Sequence, residues 1–275
     1  MAEINLHFSV QYVENIVKQV FSIVKLRTAN IEYKDGFSNI VTSSDIKIQQ
    51  LLIERLSMLI PECGFFCEES NLIDVLNKEF IWIIDPIDGT MNYSRGIPEF
   101  CISVALMRNK DIVLGVVYNP MSKEMFSAIK GGGAKLNGKT IKVSERCYEE
   151  GILCTAMSLY KKQFAKVCSD IILDAYLECN DVRRFGSCAL ELCYIAMGLC
   201  ELFFEFRVMP WDYAAGYLIL SEAGGILTGY NGQNLEFNQP TLLVGANNVS
   251  NHKRLMSYII KHINPKECNY EWQTW

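Results

Sequence analysis

Residues 80–93 read FIWIIDPIDGTMNY, and this stretch decides the fold. Phe80 to Ile84 form a short, continuous apolar run rich in β-branched and aromatic residues, the pattern of a buried strand. The run ends abruptly in Asp85 and Asp88, three positions apart. Two carboxylates this close raise each other's pKa unless a cation stands between them. Magnesium suits that place, because it takes hard oxygen ligands and accepts shared carboxylates. Pro86 fixes the turn between the acids, Gly89 lets backbone approach an anion closely, and Thr90 adds a hydroxyl. A short helix starting at Gly89-Thr90 would aim free N–H groups at an anion such as phosphate. Alone, the stretch is equally readable as a capped turn, with Asp88 capping a helix and Asp85 facing water.

Two further acid clusters shift that balance. Glu68-Glu69 follows the apolar run GFFC, and Asp212 stands in PWD at a predicted helix start. Singly these read as a solvated turn and an N-cap. Three acid clusters, each ending an apolar element, fit a phosphatase that uses two or three metal ions. The spacing disfavours a covalent aspartyl mechanism of the haloacid-dehalogenase type, whose signature places its aspartates two apart; Pro86 and Ile87 both intervene here.

Working outward, residues 6–29 carry Phe8, Tyr12, Val13, Ile16, Val17, Val20 and Val24 at helical spacing. VTSSD (41–45) supplies capping residues for a second helix, which Pro61 ends. Strand-like runs at 101–108, 112–118 and 124–129 predict an antiparallel meander. The triplet Gly131-Gly132-Gly133 has no lysine-serine context, so it reads as a hairpin or loop, with Asn137-Gly138 close behind. From about residue 150 elements alternate: strand 151–155, helices 160–177 and 188–199, strand 200–206, helix 212–223, strands 225–229 and 241–246, helix 250–263. With no linker in between, the expectation is two packed subdomains, 1–145 and 146–275, forming one catalytic unit.

Composition sets outer bounds. The chain has 275 residues, 50% hydrophobic and 21% charged, enough for a large core. A formal charge of -5 argues against direct nucleic-acid binding. The 11 cysteines contain no C-x-x-C pair and only 3 histidines accompany them, so zinc is disfavoured and reduced, mostly buried thiols are expected. MAEINLHFSV lacks the basic and apolar regions of a secretory signal, and no apolar run approaches the ~18 residues of a membrane helix. The expectation is a cytoplasmic protein with no membrane partner.

At this point the chain resembles the inositol monophosphatases, magnesium-dependent and lithium-sensitive phosphomonoesterases. DPIDGTMNY (85–93) looks like the family's first signature and WDYAAGYLILSEAGG (211–225) like its second. VTSSD (41–45), CEES (67–70), GVVYNPMSKEMFSAIKGGGAKLNGK (115–139) and RRFGSCALELCYIAMG (183–198) resemble family segments in the family's order. The resemblance implies an α/β (mixed α+β) fold, a layered α-β-α-β-α sandwich of the sugar-phosphatase type, commonly a homodimer. It implies two to three Mg2+ ions: a first held by Glu68, Asp85 and the carbonyl of Ile87, a second by Asp85, Asp88 and Asp212, a third partly by Glu68. Asp45 and Thr90, with Glu68 nearby, would activate water; Gly89 and Thr90 would bind phosphate. Asp88, Ser187, Cys188 and Glu205 would face the substrate, a small phosphorylated polyol or sugar, foremost myo-inositol monophosphate. Alternatives within the superfamily are fructose 1,6-bisphosphate, a 3'(2'),5'-bisphosphate nucleotide, histidinol phosphate and NADP. An alternative of another class is a regulatory binding protein associated with transcription machinery.

Several positions depart from the family pattern. Asn39 stands where aspartate is common, Cys67 where glycine is, and Cys188 where a small alanine is. Arg207 lies between the two acids Glu205 and Asp212. The metal ligands are untouched, so the departures bear on the leaving group and not on the reaction.

Overall fold

The computed structural model describes residues 6–23, 31–33, 40–69, 77–156 and 162–263. In chain order the elements are α1 (Leu6–Ile23), β1 (Ile31–Tyr33), β2 (Ile40–Thr42), α2 (Ser43–Ser57), β3 (Gly64–Cys67), β4 (Phe80–Asp88), α3 (Thr90–Arg95), β5 (Cys101–Arg108), β6 (Asp111–Asn119), β7 (Glu124–Ile129), β8 (Ala134–Leu136) and β9 (Lys139–Thr140). There follow β10 (Ile152–Ala156), α4 (Ala165–Tyr176), β11 (Asp181–Arg183), α5 (Cys188–Ala196), β12 (Leu202–Val208), α6 (Pro210–Glu222), β13 (Ile226–Thr228), β14 (Thr241–Ala246) and α7 (Val249–His262).

Two sheets carry the architecture. One runs β3-β4-β5-β6-β7-β8-β9, antiparallel except for the parallel β3–β4 pair. The other runs β11-β10-β12-β14-β13, parallel over β11-β10-β12 and antiparallel beyond. Both sheets are buried on both faces, which is why their strands are apolar without alternation. On β4, Trp82 and Ile84 pack against Val13, Val17 and Val20 of α1 and Ile48, Leu52 and Leu56 of α2. Ile81 and Ile83 point the other way, into the core built by α5 and α6. On β12, Leu202 and Phe204 join Cys168 and Ile171 of α4 and Leu255 and Ile259 of α7, while Phe203 faces the α5–α6 core. The layers are therefore α1/α2, sheet, α5/α6, sheet, α4/α7: the expected α-β-α-β-α sandwich.

The middle layer is tightly spaced. A Cβ on Gly115 of β6 would lie 2.8 Å from the carbonyl of Ala215 in α6, so glycine there sets how closely helix and sheet approach. The Gly131–Gly133 triplet is the expected hairpin turn, between β7 and β8. Its N–H groups at Gly131 and Gly133 donate to the carboxylate of Glu222 at 2.7 and 2.8 Å, so the anion they hold is internal.

The differences from the sequence reading have local causes. The strands β1 (IEY), β2 (IVT) and β11 (DVR) are three residues each, too short to show a period, and were not anticipated. Helix 188–199 ends at Ala196, before Gly198 with φ 78. Strand 200–206 lies at Leu202–Val208, and helix 212–223 begins at Pro210, the favoured first position for proline. The second half is the expected α/β alternation, with β14 running back antiparallel between β12 and β13. Residues 24–29, 160–161 and Asn39 lie outside the described residues. Every cysteine among the described residues is free, and most are buried.

Candidate active site

The Asp85–Asp88 spacing is explained by register. Asp85 pairs with Ser103 and Asp88 with Cys101, so two residues of β4 oppose the single Ile102 of β5. This is a β-bulge. In an unbroken strand, residues three apart face opposite sides. The inserted residue turns Ile87 outward into the α1/α2 core and brings Asp88 round to the side of Asp85. Asp85 is 2% exposed and Asp88 8%. Asp85 Oδ1 accepts the N–H of Ile87 at 2.9 Å, closing a turn around Pro86.

The chain then enters α3 through Gly89 at φ 93, whose Cβ would meet the carbonyls of Glu99 at 3.0 Å and Gly186 at 3.1 Å. Only glycine fits there. Thr90 Oγ1 donates to the Ile87 carbonyl at 3.0 Å and lies 3.4 Å from Asp45 Oδ1. Asp45 itself is fully buried at the start of α2, where its other oxygen accepts both the N–H and the hydroxyl of Thr42. Asn92 of α3 donates to the carbonyls of Glu99 at 2.6 Å and Phe185 at 2.7 Å, tying α3 to the loop before α5.

From the other half, Ser187 caps α5 and donates to Asp88 Oδ2 at 2.6 Å; the N–H of Ala189 donates to the same oxygen at 2.7 Å. The Cys101 thiol lies 3.8 Å from that oxygen as a weak third donor. Asp212, in the first turn of α6, accepts the N–H of Met209 at 2.9 Å. Ser103 of β5 donates to the Trp211 carbonyl at 3.2 Å and fixes where α6 begins.

These groups border one cleft of about 820 Å3, open to solvent. Glu68, Asp85, Ile87, Asp88, Gly89, Thr90, Ser187, Cys188, Glu205 and Asp212 all line it; Asp45 stands behind Thr90. The residues expected to hold metal, phosphate and substrate thus gather at one place, with Asp45 behind Thr90. Among the described residues no three of the carboxylates form a closed metal cage. Asp88, Asp85 and Asp212 each place one oxygen on a backbone N–H, which leaves the other oxygen of each carboxylate for a ligand. The donor set nonetheless fits a hard divalent cation, being four carboxylates and one carbonyl with no imidazole among them.

Electrostatics point the same way. Burial, then the charges of Glu68, Asp88 and Asp212, drives the pKa of Asp85 well above the carboxylate range. Burial and the charges of Asp88 and Glu68 do the same to Asp212. Burial pushes Asp45 and Asp88 up to about 6, with hydrogen bonds from Thr42 and from Ser187 and Ala189 opposing. Such a cluster is costly without a cation.

Two pocket residues escaped the sequence reading. Glu191 of α5 is 1% exposed; its Oε1 accepts the N–H groups of Phe185 and Gly186 at 2.8 and 3.0 Å. Its only signal was being the one charge in CALELCYIA. Arg184 borders the cleft just beyond β11, a strand too short to be seen in the sequence.

The fold and the cleft together define a layered α/β protein with a carboxylate-lined pocket where its two sheets meet. The inositol monophosphatase family model matches residues 4–266, and the chain belongs to that family. It is 34% identical to a Nus factor SuhB of Vibrio cholerae over 90% of both chains. Among solved structures, the extragenic suppressor protein suhB of Bartonella henselae superposes with a TM-score of 0.82 at 30% identity, covering 94% of this chain and 98% of that one. An IMPase of Thermotoga maritima superposes with a TM-score of 0.80 at 31% identity, covering 93% and 96%.

Proposed function

We propose that this protein is a magnesium-dependent phosphomonoesterase acting on a small phosphorylated polyol, myo-inositol monophosphate foremost. The observation that carries the reading is the convergence of Glu68, Asp85, Asp88 and Asp212 on one cleft beside Gly89 and Thr90. Glu68, Asp85 and the Ile87 carbonyl would hold one ion, and Asp85, Asp88 and Asp212 a second, with Glu68 contributing to a third. Bound ions would lower the pKa of a water and neutralise the phosphate and the leaving oxygen.

The chain's own groups do the positioning. The backbone at Gly89 and Thr90 offers N–H donors to phosphate oxygens. Thr90 sits between the Ile87 carbonyl and Asp45, so its hydroxyl can hand a proton from water to the Asp45 carboxylate. With a pKa near 6, Asp45 is ionised at neutral pH and able to accept it. Water oxygen bonds to phosphorus, the ester P–O bond breaks, and the leaving alkoxide takes up a proton. Asp88, Ser187, Cys188 and Glu205 shape the space for the alcohol. Burial pushes the Cys188 thiol up, so it stays a neutral wall.

The family also predicts inhibition by lithium and a homodimer. Superfamily substrates such as fructose 1,6-bisphosphate, bisphosphate nucleotides, histidinol phosphate and NADP are the competitors. Phosphate release from a panel of these esters, with magnesium and with or without lithium, tests the reading. The relatives named Nus factor SuhB favour one second reading, association with transcription machinery. Absence of turnover on the whole panel, together with binding to purified transcription complexes, would favour it. No described helix is long and apolar enough to cross a membrane.

A further inference from the structure

Helix α5 offers the cleft one more polar group than the reading above uses. Ser187 at its cap, Cys188, and Glu191 three positions on all border the cleft. Glu191 is the one charged residue of the helix and is 1% exposed. Its two local donors converge on a single oxygen: the N–H groups of Phe185 and Gly186 reach Oε1 at 2.8 and 3.0 Å. The other oxygen, Oε2, is buried and has no hydrogen-bond partner among the described residues. A buried carboxyl oxygen left in that state is costly, and in a native fold it calls for an explanation.

The nearest acid to Glu191 on β12 is Glu205. Glu205 pairs with Leu243, and beyond it Phe206 and Arg207 oppose the single Leu242 in a second bulge, so it stands where regular pairing stops and the cleft opens. Burial first, and then the charge of Glu191 ahead of that of Asp88, holds its pKa well above the carboxylate range. Glu191 is raised in turn: burial pushes it up to about 8 against the N–H groups of Gly186 and Phe185, with Asp88 and Arg184 the other charges acting on it. At neutral pH it is a carboxylic acid. Since Oε1 accepts both N–H groups, the proton belongs on Oε2, which makes that atom a donor.

We propose that Glu191 is a specificity-determining residue of the cleft, its Oε2–H donating to a hydroxyl of the leaving alcohol whose own proton is accepted by Glu205. This rests on the phosphatase reading above and assigns one feature of its substrate, a free hydroxyl beyond the ester oxygen. A hydroxyl both donates and accepts, so it fits between a carboxyl donor and a carboxyl acceptor. A hydrocarbon alcohol leaves both acids unmatched, and a site built to bond a hydroxyl rejects the analogue that lacks it.

The test compares kcat/KM, with magnesium, on myo-inositol 1-phosphate and on cyclohexyl phosphate, which has the same ring size and no further hydroxyl. The wild type is expected to favour the inositol ester, and Glu191→Leu to shrink that preference by about 10-fold, mainly through KM of the inositol ester. Glu191→Gln is expected to rescue most of it, because the amide keeps a carbonyl for the two N–H groups and puts an N–H donor where Oε2 stood. A wild type without the preference, a preference unchanged or an equal loss on both esters in Glu191→Leu, or no rescue in Glu191→Gln overturns the assignment and leaves the phosphatase reading standing. If Glu191→Leu does not fold, a crystal structure of the wild type with myo-inositol and phosphate decides: a ring hydroxyl within about 3.5 Å of Oε2 supports the proposal, and none at that distance overturns it. If neither ester is hydrolysed, the phosphatase reading falls; calorimetric binding of myo-inositol 1-phosphate then decides the role of Glu191, supported by weaker binding in Glu191→Leu and overturned by equal binding or none.

Discussion

At the residue scale, the cleft depends on acids whose burial is held in place by donors. Asp88 accepts from Ser187, Ala189 and Cys101 through one oxygen, which leaves the other for a ligand. Asparagine is nearly isosteric and can keep those donors satisfied. Asp88→Asn is therefore expected to cut phosphate release about 100-fold or more while the thermal midpoint holds. Activity near wild type, or a collapsed midpoint, would contradict the role. Glu191 gives a pH prediction. Burial, opposed by the Gly186 and Phe185 N–H groups, pushes its pKa from 4.5 to about 8. Between those values the folded state holds a proton that the unfolded state has lost, so stability falls as pH rises through that window, by about 1.4 kcal/mol per unit of displacement at most. Glu191→Gln keeps a carbonyl acceptor and removes the titration. Denaturant midpoints from pH 5 to 8 should decline less steeply in the variant; parallel curves would refute this. Asp85 and Asp88 were legible in the sequence because two adjoining acids at the end of an apolar run have a physical cost. Glu191 and Arg184 were not, since a single acid in a helix and a single basic residue after a polar strand are commonplace.

At the element scale, both strands that reach the cleft are bent by one extra residue. The bulge in β4 puts Asp85 and Asp88 on one side, and the bulge in β12 separates Glu205 from Val208 around Arg207. The sequence showed the spacing of the aspartates but not the bulge, because register depends on the partner strand. Strand β12 starts two residues later than expected, and α6 two residues earlier, where Pro210 takes the first helical position. Helix α6 is apolar around its whole circumference, being enclosed between sheets, so its packing face could not be read from periodicity. Its approach to β6 is testable. Gly115→Ala places a methyl against backbone at Ala215, which only a shift of helix or strand relieves. The expected cost is about 1 to 3 kcal/mol by chemical denaturation. A neutral result would mean that the spacing between α6 and the sheet is not set there.

At the scale of the whole molecule, the site exists only because two sheets are stacked. Glu68, Asp85 and Asp88 come from the seven-stranded sheet and its loops, Glu205 from the five-stranded sheet, and Ser187 and Asp212 from the helices between. The helix-rich start, the meander and the mixed second half follow from periodicity. The layering followed only from the family resemblance, since hydrophobic patterns say that a face is buried and not by what. Membership of the inositol monophosphatase family now supports that architecture. It also frames the central claim, that the acids of the cleft work through a divalent cation. The direct measurement is phosphate release from myo-inositol 1-phosphate and fructose 1,6-bisphosphate by metal-stripped protein titrated with magnesium. The account predicts no release in chelator, recovery on adding magnesium, and none at any magnesium concentration for a folded Asp212→Asn variant. Equal release in excess chelator, or full release by that variant, would contradict it.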